Sequence, residues 1–167
     1  MARLTDVLQH EHGELLAQLD RCLSPTGELN LRAYEEFRRR QLRHVAIEEK
    51  VLLPALARRK KLSAAFQNAL HKDHEAIVVL CVTAPNPDFV RDLKELIAWH
   101  QKVEEEPNGF YDLFDRHVGD DPQVSEALAH LPPISPPPFA SGEEVAQVLR
   151  QVLRELGLAA EESPAHR

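Results

Sequence analysis

Along most of the chain, apolar residues return every three or four positions, the spacing of one face of a helix. Leu4, Leu8, Leu15, Leu19 and Leu23 predict a first helix over about 4–23, ended by Ser24-Pro25-Thr26-Gly27. Tyr34, Phe37, Leu52 and Leu56 mark one face of a second, over about 31–59. Pro54 falls inside it and should remove a hydrogen bond and bend the helix about a turn past Glu48. A third begins at the cap residue Ser63 and carries Phe66, Leu70, Ile77 and Cys81 on one stripe. After the break Ala84-Pro85-Asn86-Pro87-Asp88, a fourth follows with Phe89, Leu93, Leu96 and Ile97. Pro107 interrupts it before the pattern resumes through Phe110, Tyr111, Leu113 and Phe114. Four amphipathic segments with short connections predict an all-α fold, an antiparallel up-down-up-down four-helix bundle.

Additional C-terminal helices are expected beyond the bundle. A short one starts at Asp121-Pro122 and reaches about Leu131. The run Pro132-Pro133-Ile134-Ser135-Pro136-Pro137-Pro138 reads as extended, polyproline-like chain. A last helix begins at Ser141, which forms a capping-box pattern with Glu144 and precedes the stripe Val145, Leu149, Val152, Leu156. The expected organisation is therefore a bundle over 1–131, a Pro-rich linker over 132–140, and an amphipathic helix with its tail over 141–167. That last helix either docks on the bundle or contacts a second copy or another protein.

The polar residues that intrude on the stripes change the picture. His12 lies on the first stripe, His44 and Glu48 on the second, His74 on the third, and His100 and Glu104 on the fourth. Counted from the turns, His12 and His44 differ in height by about 3 Å, and His74 and His100 by about 6 Å, at ~1.5 Å rise per residue. One layer of the bundle can hold all four. Spacing alone says less. With nine histidines and 18 glutamates, about one His-x-x-x-Glu pair arises by chance. Four occur: His10/Glu14, His44/Glu48, His71/Glu75 and His100/Glu104. The first and third lie beside their stripes, which marks them as solvated pairs of small energetic value. The other two replace core residues.

Composition narrows the function classes. Hydrophobic residues make up 43% of the 167 residues, enough for one domain with a sizeable core. No apolar run approaches the ~18 residues of a membrane span, and Met1-Ala2-Arg3-Leu4-Thr5-Asp6 shows no signal-peptide core, so a cytoplasmic protein without a membrane role is expected. The net charge of −7 argues against a nucleic-acid partner. Cys22 and Cys81 are too few for a disulfide scaffold and read as buried small hydrophobes.

Two carboxylates and four imidazoles in one core layer demand compensation. An unpartnered buried charge costs several kcal/mol, roughly the net stability of a small domain. A metal removes that cost by keeping carboxylates ionised and imidazoles neutral. One zinc needs only four ligands. Four nitrogens and two carboxylates suit two metals bridged by the carboxylates, with an oxide or hydroxide between them, and the ligand types suit iron, manganese or zinc.

The ordered motifs Glu11-His12, His44-Val45-Ala46-Ile47-Glu48-Glu49 with Leu53-Pro54, Asp73-His74, and His100-Gln101-Lys102-Val103-Glu104-Glu105 resemble the hemerythrin-like family, the HHE cation-binding domains, over about residues 4–117. The resemblance implies a four-helix bundle holding a non-haem di-iron centre. By position, His12, His44, His74 and His100 become nitrogen ligands, and Glu48 and Glu104 bridging carboxylates. Two features depart from the oxygen-carrying members. His71 and His74 are three residues apart rather than four, which leaves a fifth nitrogen from His71 open. The fourth helix bears a glutamate four residues after its histidine rather than an aspartate five after.

The leading functional expectation is a non-enzymatic di-iron protein that binds or senses dioxygen, nitric oxide or peroxide, or handles iron. A di-iron oxidase or peroxidase of the ferritin-like class is disfavoured, because Gln9, Gln41, His71 and Ile97 stand where its Glu-x-x-His motifs need acids. A regulatory or interaction module with structural zinc or manganese is the third reading, with the C-terminal helix meeting a partner or a second copy. Around the layer, Gln41 could hydrogen-bond a ligand, and Trp99 and Tyr111 are read as core packing rather than site walls.

Overall fold

Side-chain caps set where four of the described helices begin. The computed structural model describes residues 3–140. Helix α1 spans Leu4–Arg21 and α2 Leu31–Ile47; a π-helical turn over Glu48–Leu52 then leads into α3, Leu53–Arg58. Helices α4 (Ala64–Val82) and α5 (Pro87–Glu105) complete the long elements, and α6 (Phe110–His117) and α7 (Pro122–Ala129) follow as short ones. Asn30, Ser63, Asn86 and Asp121 cap α2, α4, α5 and α7, each side chain accepting an otherwise unpaired backbone N–H of the first turn. Pro87 and Pro122 occupy first-turn positions, where a missing N–H costs nothing. Among the described residues the fold is all-helical, with only isolated bridges at Leu23–Leu29 and Thr83–Ala140. No described helix is long and apolar enough to cross a membrane.

Helix α1 packs on α2 and α5, and α4 packs on the same two. Two apolar clusters form the core. One holds Leu15, Leu19, Tyr34, Phe37, Ile77, Leu93 and Ile97, and the other Leu8, Leu52, Leu56, Leu70, Phe110, Tyr111 and Phe114. Along α1 the order is Leu8, His12, Leu15; along α4 it is Leu70, His74, Ile77. Along α5 it reverses, from Ile97 through His100 and Glu104 to Phe110 beyond the helix end. The polar layer thus lies between the two clusters, with apolar packing on both sides.

Pro54 costs the helix a hydrogen bond, as expected, and the backbone takes this up in a particular way. It has no N–H to give Lys50, and its ring crowds that carbonyl. The helix widens instead of breaking: the Leu53 N–H reaches back to Glu48 O, five residues away. Such widened turns concentrate at functional positions, and this one begins at Glu48.

The stretch 132–140, expected as a linker, lies along the bundle. Ile134 and Phe139 pack on the first cluster. Ala140 donates to Val82 O (2.8 Å) and accepts from Ala84 N (3.1 Å). The buried Arg38 donates to Pro137 O (2.6 Å) and lies 4.2 Å over the Phe139 ring. The last helix expected from Ser141 lies outside the described residues.

Candidate metal centre

All six polar residues read from the stripes are buried and converge. His12, His44, His74 and His100 are 1–3% exposed, and Glu48 and Glu104 are 0%. They form two overlapping donor groups: His12, His44, Glu48 and Glu104, and Glu48, His74, His100 and Glu104. Within each group the nearest ligand atoms all lie within 4.8 Å of one another. The two carboxylates belong to both groups.

Each histidine presents Nε2 to the layer and Nδ1 to a carboxylate outside it. His12 Nδ1 lies 2.6 Å from Glu105, His44 Nδ1 3.1 Å from Glu11, His74 Nδ1 2.5 Å from Glu49, and His100 Nδ1 3.4 Å from Asp73. A carboxylate on Nδ1 fixes the tautomer that leaves Nε2 free to bind a metal, and raises its basicity. The Nε2 atoms approach in pairs, His12 to His44 at 2.8 Å and His74 to His100 at 3.0 Å. With the proton on Nδ1, each pair aims two Nε2 lone pairs at one point, which suits a shared cation.

The carboxylates repeat the point. Glu48 Oε2 and both Glu104 oxygens are buried with no hydrogen-bond partner. Among the described residues their compensation is ionic: Glu104 lies 3.1 Å from His100 and 3.4 Å from His74 and His12, and Glu48 Oε2 lies 3.4 Å from His74, while Glu48 Oε1 lies 3.3 Å from His44. Burial opposes ionisation of Glu48, yet His44 and His74 hold its carboxyl well below the usual range. Burial and the like charge of Glu48 oppose ionisation of Glu104, but His100 and His74 still hold it down. The histidines answer in kind. Burial works against charge on each, but Glu48 and Glu11 raise His44 to about 10, Glu104, Glu48 and Glu49 raise His74 to about 12, and Glu104 and Asp73 raise His100 to about 9. Only His12 is pushed down, by burial and then by His44. The donor set fits a divalent pair: three carboxylate oxygens without a hydrogen-bond partner, imidazoles whose Nδ1 faces an acid, and apolar packing on both sides.

The sequence model of the hemerythrin HHE cation binding domain matches residues 3–124. The chain belongs to this family. No curated protein and no solved structure matches it.

Within this hemerythrin domain, the structure also places residues that the stripes did not assign to the site. Tyr111, read as core packing, points its hydroxyl into the layer, donating to Glu48 Oε1 at 2.5 Å and lying 3.1 Å from His12 Nε2 and 3.3 Å from His44 Nε2. Burial, then Glu48 and Glu104, raise its phenol well above the ordinary value, so it stays a donor. The Thr5–Asp115 hydrogen bond (2.7 Å) ties α6, which carries Tyr111, back to the start of α1. His71 stands outside both donor groups: its Nδ1 lies 2.6 Å from Glu49 Oε2, and its side chain is 39% exposed. Trp99 is half-buried. Gln41 is buried with its Oε1 unpartnered. The off-stripe pair His10/Glu14 is at the surface, 3.7 Å apart. Cys22 and Cys81 are buried free thiols in the first cluster, and burial raises them to about 11 and about 12.

Proposed function

We propose that the polar layer is a di-iron centre that binds or senses dioxygen, nitric oxide or peroxide, or handles iron. His12 and His44 would hold one metal, His74 and His100 the other, and Glu48 and Glu104, common to both groups, would serve both. The four long helices run up-down-up-down around it, a reading supported by the order of the two apolar clusters, which alternates along α1, α2, α4 and α5 in turn. One observation carries the proposal. Glu48 and Glu104 are wholly buried, common to both donor groups, and three of their four carboxylate oxygens have no hydrogen-bond partner.

Bound iron supplies a redox-active cation with affinity for small oxygen and nitrogen ligands. The protein's part lies in the residues around it. Glu11, Glu49, Asp73 and Glu105 orient the imidazoles through Nδ1, Tyr111 holds a proton against Glu48, and the two apolar clusters keep bulk water from the layer.

Metal analysis of the purified protein, with an optical spectrum before and after reduction and exposure to oxygen and nitric oxide, tests the reading. Near two irons per chain with ligand-dependent spectra is the expected outcome. Two irons with a spectrum indifferent to both gases would overturn the sensing function. Zinc or manganese in protein from its native host would replace iron and make the site structural.

A further inference from the structure

Tyr111 makes the two halves of the centre unequal. On the α1–α2 half, its hydroxyl lies 3.1 Å from His12 Nε2 and 3.3 Å from His44 Nε2. On the α4–α5 half, the hydrogen bond of His74 Nε2 is to His100 Nε2 at 3.0 Å, and among the described residues no phenol or other side chain joins that pair as Tyr111 joins the first. The side chain nearest in sequence that could have done so, His71, is drawn outward to Glu49 at 2.6 Å. Counting oxygen and nitrogen groups, the first half has two imidazoles, two shared carboxylates and a phenol. The second has the imidazoles and carboxylates alone. A metal held on that side would have fewer protein groups crowded around it and more room for an added ligand.

Surface access does not separate the halves. One recess, bordered by Val45, Glu49, His71 and Val78, meets the outer edge of His74. Another, bordered by Gln9, Gly13, Leu16 and Gln101, meets the outer edge of His12. Occupancy of the interior does separate them, because the phenol takes up space beside His12 and His44 that a small ligand would need.

We propose that a small exogenous ligand, a diatomic molecule or a small anion, binds on the His74–His100 half of the centre, because Tyr111 fills the corresponding position beside His12 and His44. This inference rests on the two-metal reading above. It makes Tyr111 a specificity-determining residue that selects where the ligand goes.

Azide is a suitable probe. The iron-loaded protein is first shown by elemental analysis to hold two metals per chain, then titrated with azide by calorimetry and visible spectroscopy. A crystal structure of the azide adduct locates the anion. The wild-type chain should take up one azide, seated against His74 and His100. Tyr111→Phe, which keeps the ring and removes the hydroxyl, should raise the stoichiometry from one azide to two. Azide beside His12 and His44 in the wild-type structure would overturn the inference, as would two azides or none per wild-type chain, or a Tyr111→Phe titration unchanged from wild type. If Tyr111→Phe fails to fold or load, the wild-type structure decides alone. A wild-type chain that cannot hold two metals overturns the parent reading instead, so the two failures are distinguishable.

Discussion

Glu49 Oε1 lies 2.5 Å from His74 Nδ1, although the two residues sit on different helical segments and Glu49 itself follows Glu48 in the layer. The relationship repeats around the bundle. Glu11 on α1 reaches His44 on α2, Glu49 after α2 reaches His74 on α4, Asp73 on α4 reaches His100 on α5, and Glu105 on α5 reaches His12 on α1. Each acid is a direct sequence neighbour of a layer residue on its own helix and holds a histidine of the next, so the four contacts close a ring.

Breaking that ring at one point should weaken metal binding without emptying the core. Glu49→Gln keeps the shape and loses the charge on His74 and His71. Partners of this kind are worth about 10–100-fold in metal affinity. Competition against a chelator should show a loss in that range, while the metal-free variant still melts in a single cooperative transition. An unchanged affinity would mean that Glu49 does not orient His74.

The metal-free protein should be sensitive to alkali. His44 and His100 are raised to about 10 and about 9 by Glu48 and Glu104 against the opposing effect of burial, and His74 to about 12. A histidine whose folded value is raised binds its proton more tightly in the native state. Its contribution is therefore complete below the unfolded value of about 6.5 and disappears as the pH rises through the folded one. Chemical denaturation of metal-free protein from pH 7 to 11 should show falling stability from below pH 9 onward. In the loaded protein metal replaces those protons, loading releases them, and the alkaline loss should be absent or much smaller.

Gly109 controls where Tyr111 goes. It precedes α6, and a Cβ there would lie 2.7 Å from the backbone oxygens of Val103, Glu104 and Glu106. Three carbonyls at the end of α5 cannot all retreat, so Gly109→Ala must shift the turn that joins α5 to α6. Overpacking of this kind costs about 1–3 kcal/mol. The expected result is a lower melting temperature together with a disturbed site, because Glu104 and Tyr111 flank the turn. A variant with wild-type melting and wild-type metal content would show that the turn has slack.

How much of this was legible in the chain depends on whether a residue lies on a stripe. His12, His44, Glu48, His74, His100 and Glu104 could be read because a polar residue in place of a core residue is conspicuous. The acids of the ring lie about 100° around the helix from their neighbours, at the boundary between helices, where an acid looks like any surface charge. Their signal was present nonetheless, in the repeated placement of an acid beside one motif residue on each long segment: Glu11, Glu49, Asp73 and Glu105. Tyr111 had no such signal. It follows the break at Pro107, and the turn through Asn108, with φ of 65°, and Gly109 sets its direction rather than any period carried over from α5. Pro54 was legible as a disturbance, but the widened turn that accompanies it depends on how Leu53 finds its acceptor. The Pro-rich stretch was read as a spacer because its composition favours extension; that Ile134, Phe139 and Arg38 fasten it to the bundle depends on contacts made across the fold.

The two-metal reading of the layer is tested most directly by metal equivalents per chain. Wild type, His44→Ala and His10→Ala are purified alike, reconstituted with ferrous iron under reducing conditions, freed of loose metal and measured by elemental analysis. His10→Ala removes a surface histidine with the same spacing to a glutamate, and His44→Ala one of the four imidazoles of the layer. Wild type and His10→Ala should each retain two irons per chain, and His44→Ala should lose at least one of them. Retention of both irons by His44→Ala, or their absence from the wild-type chain, would contradict it.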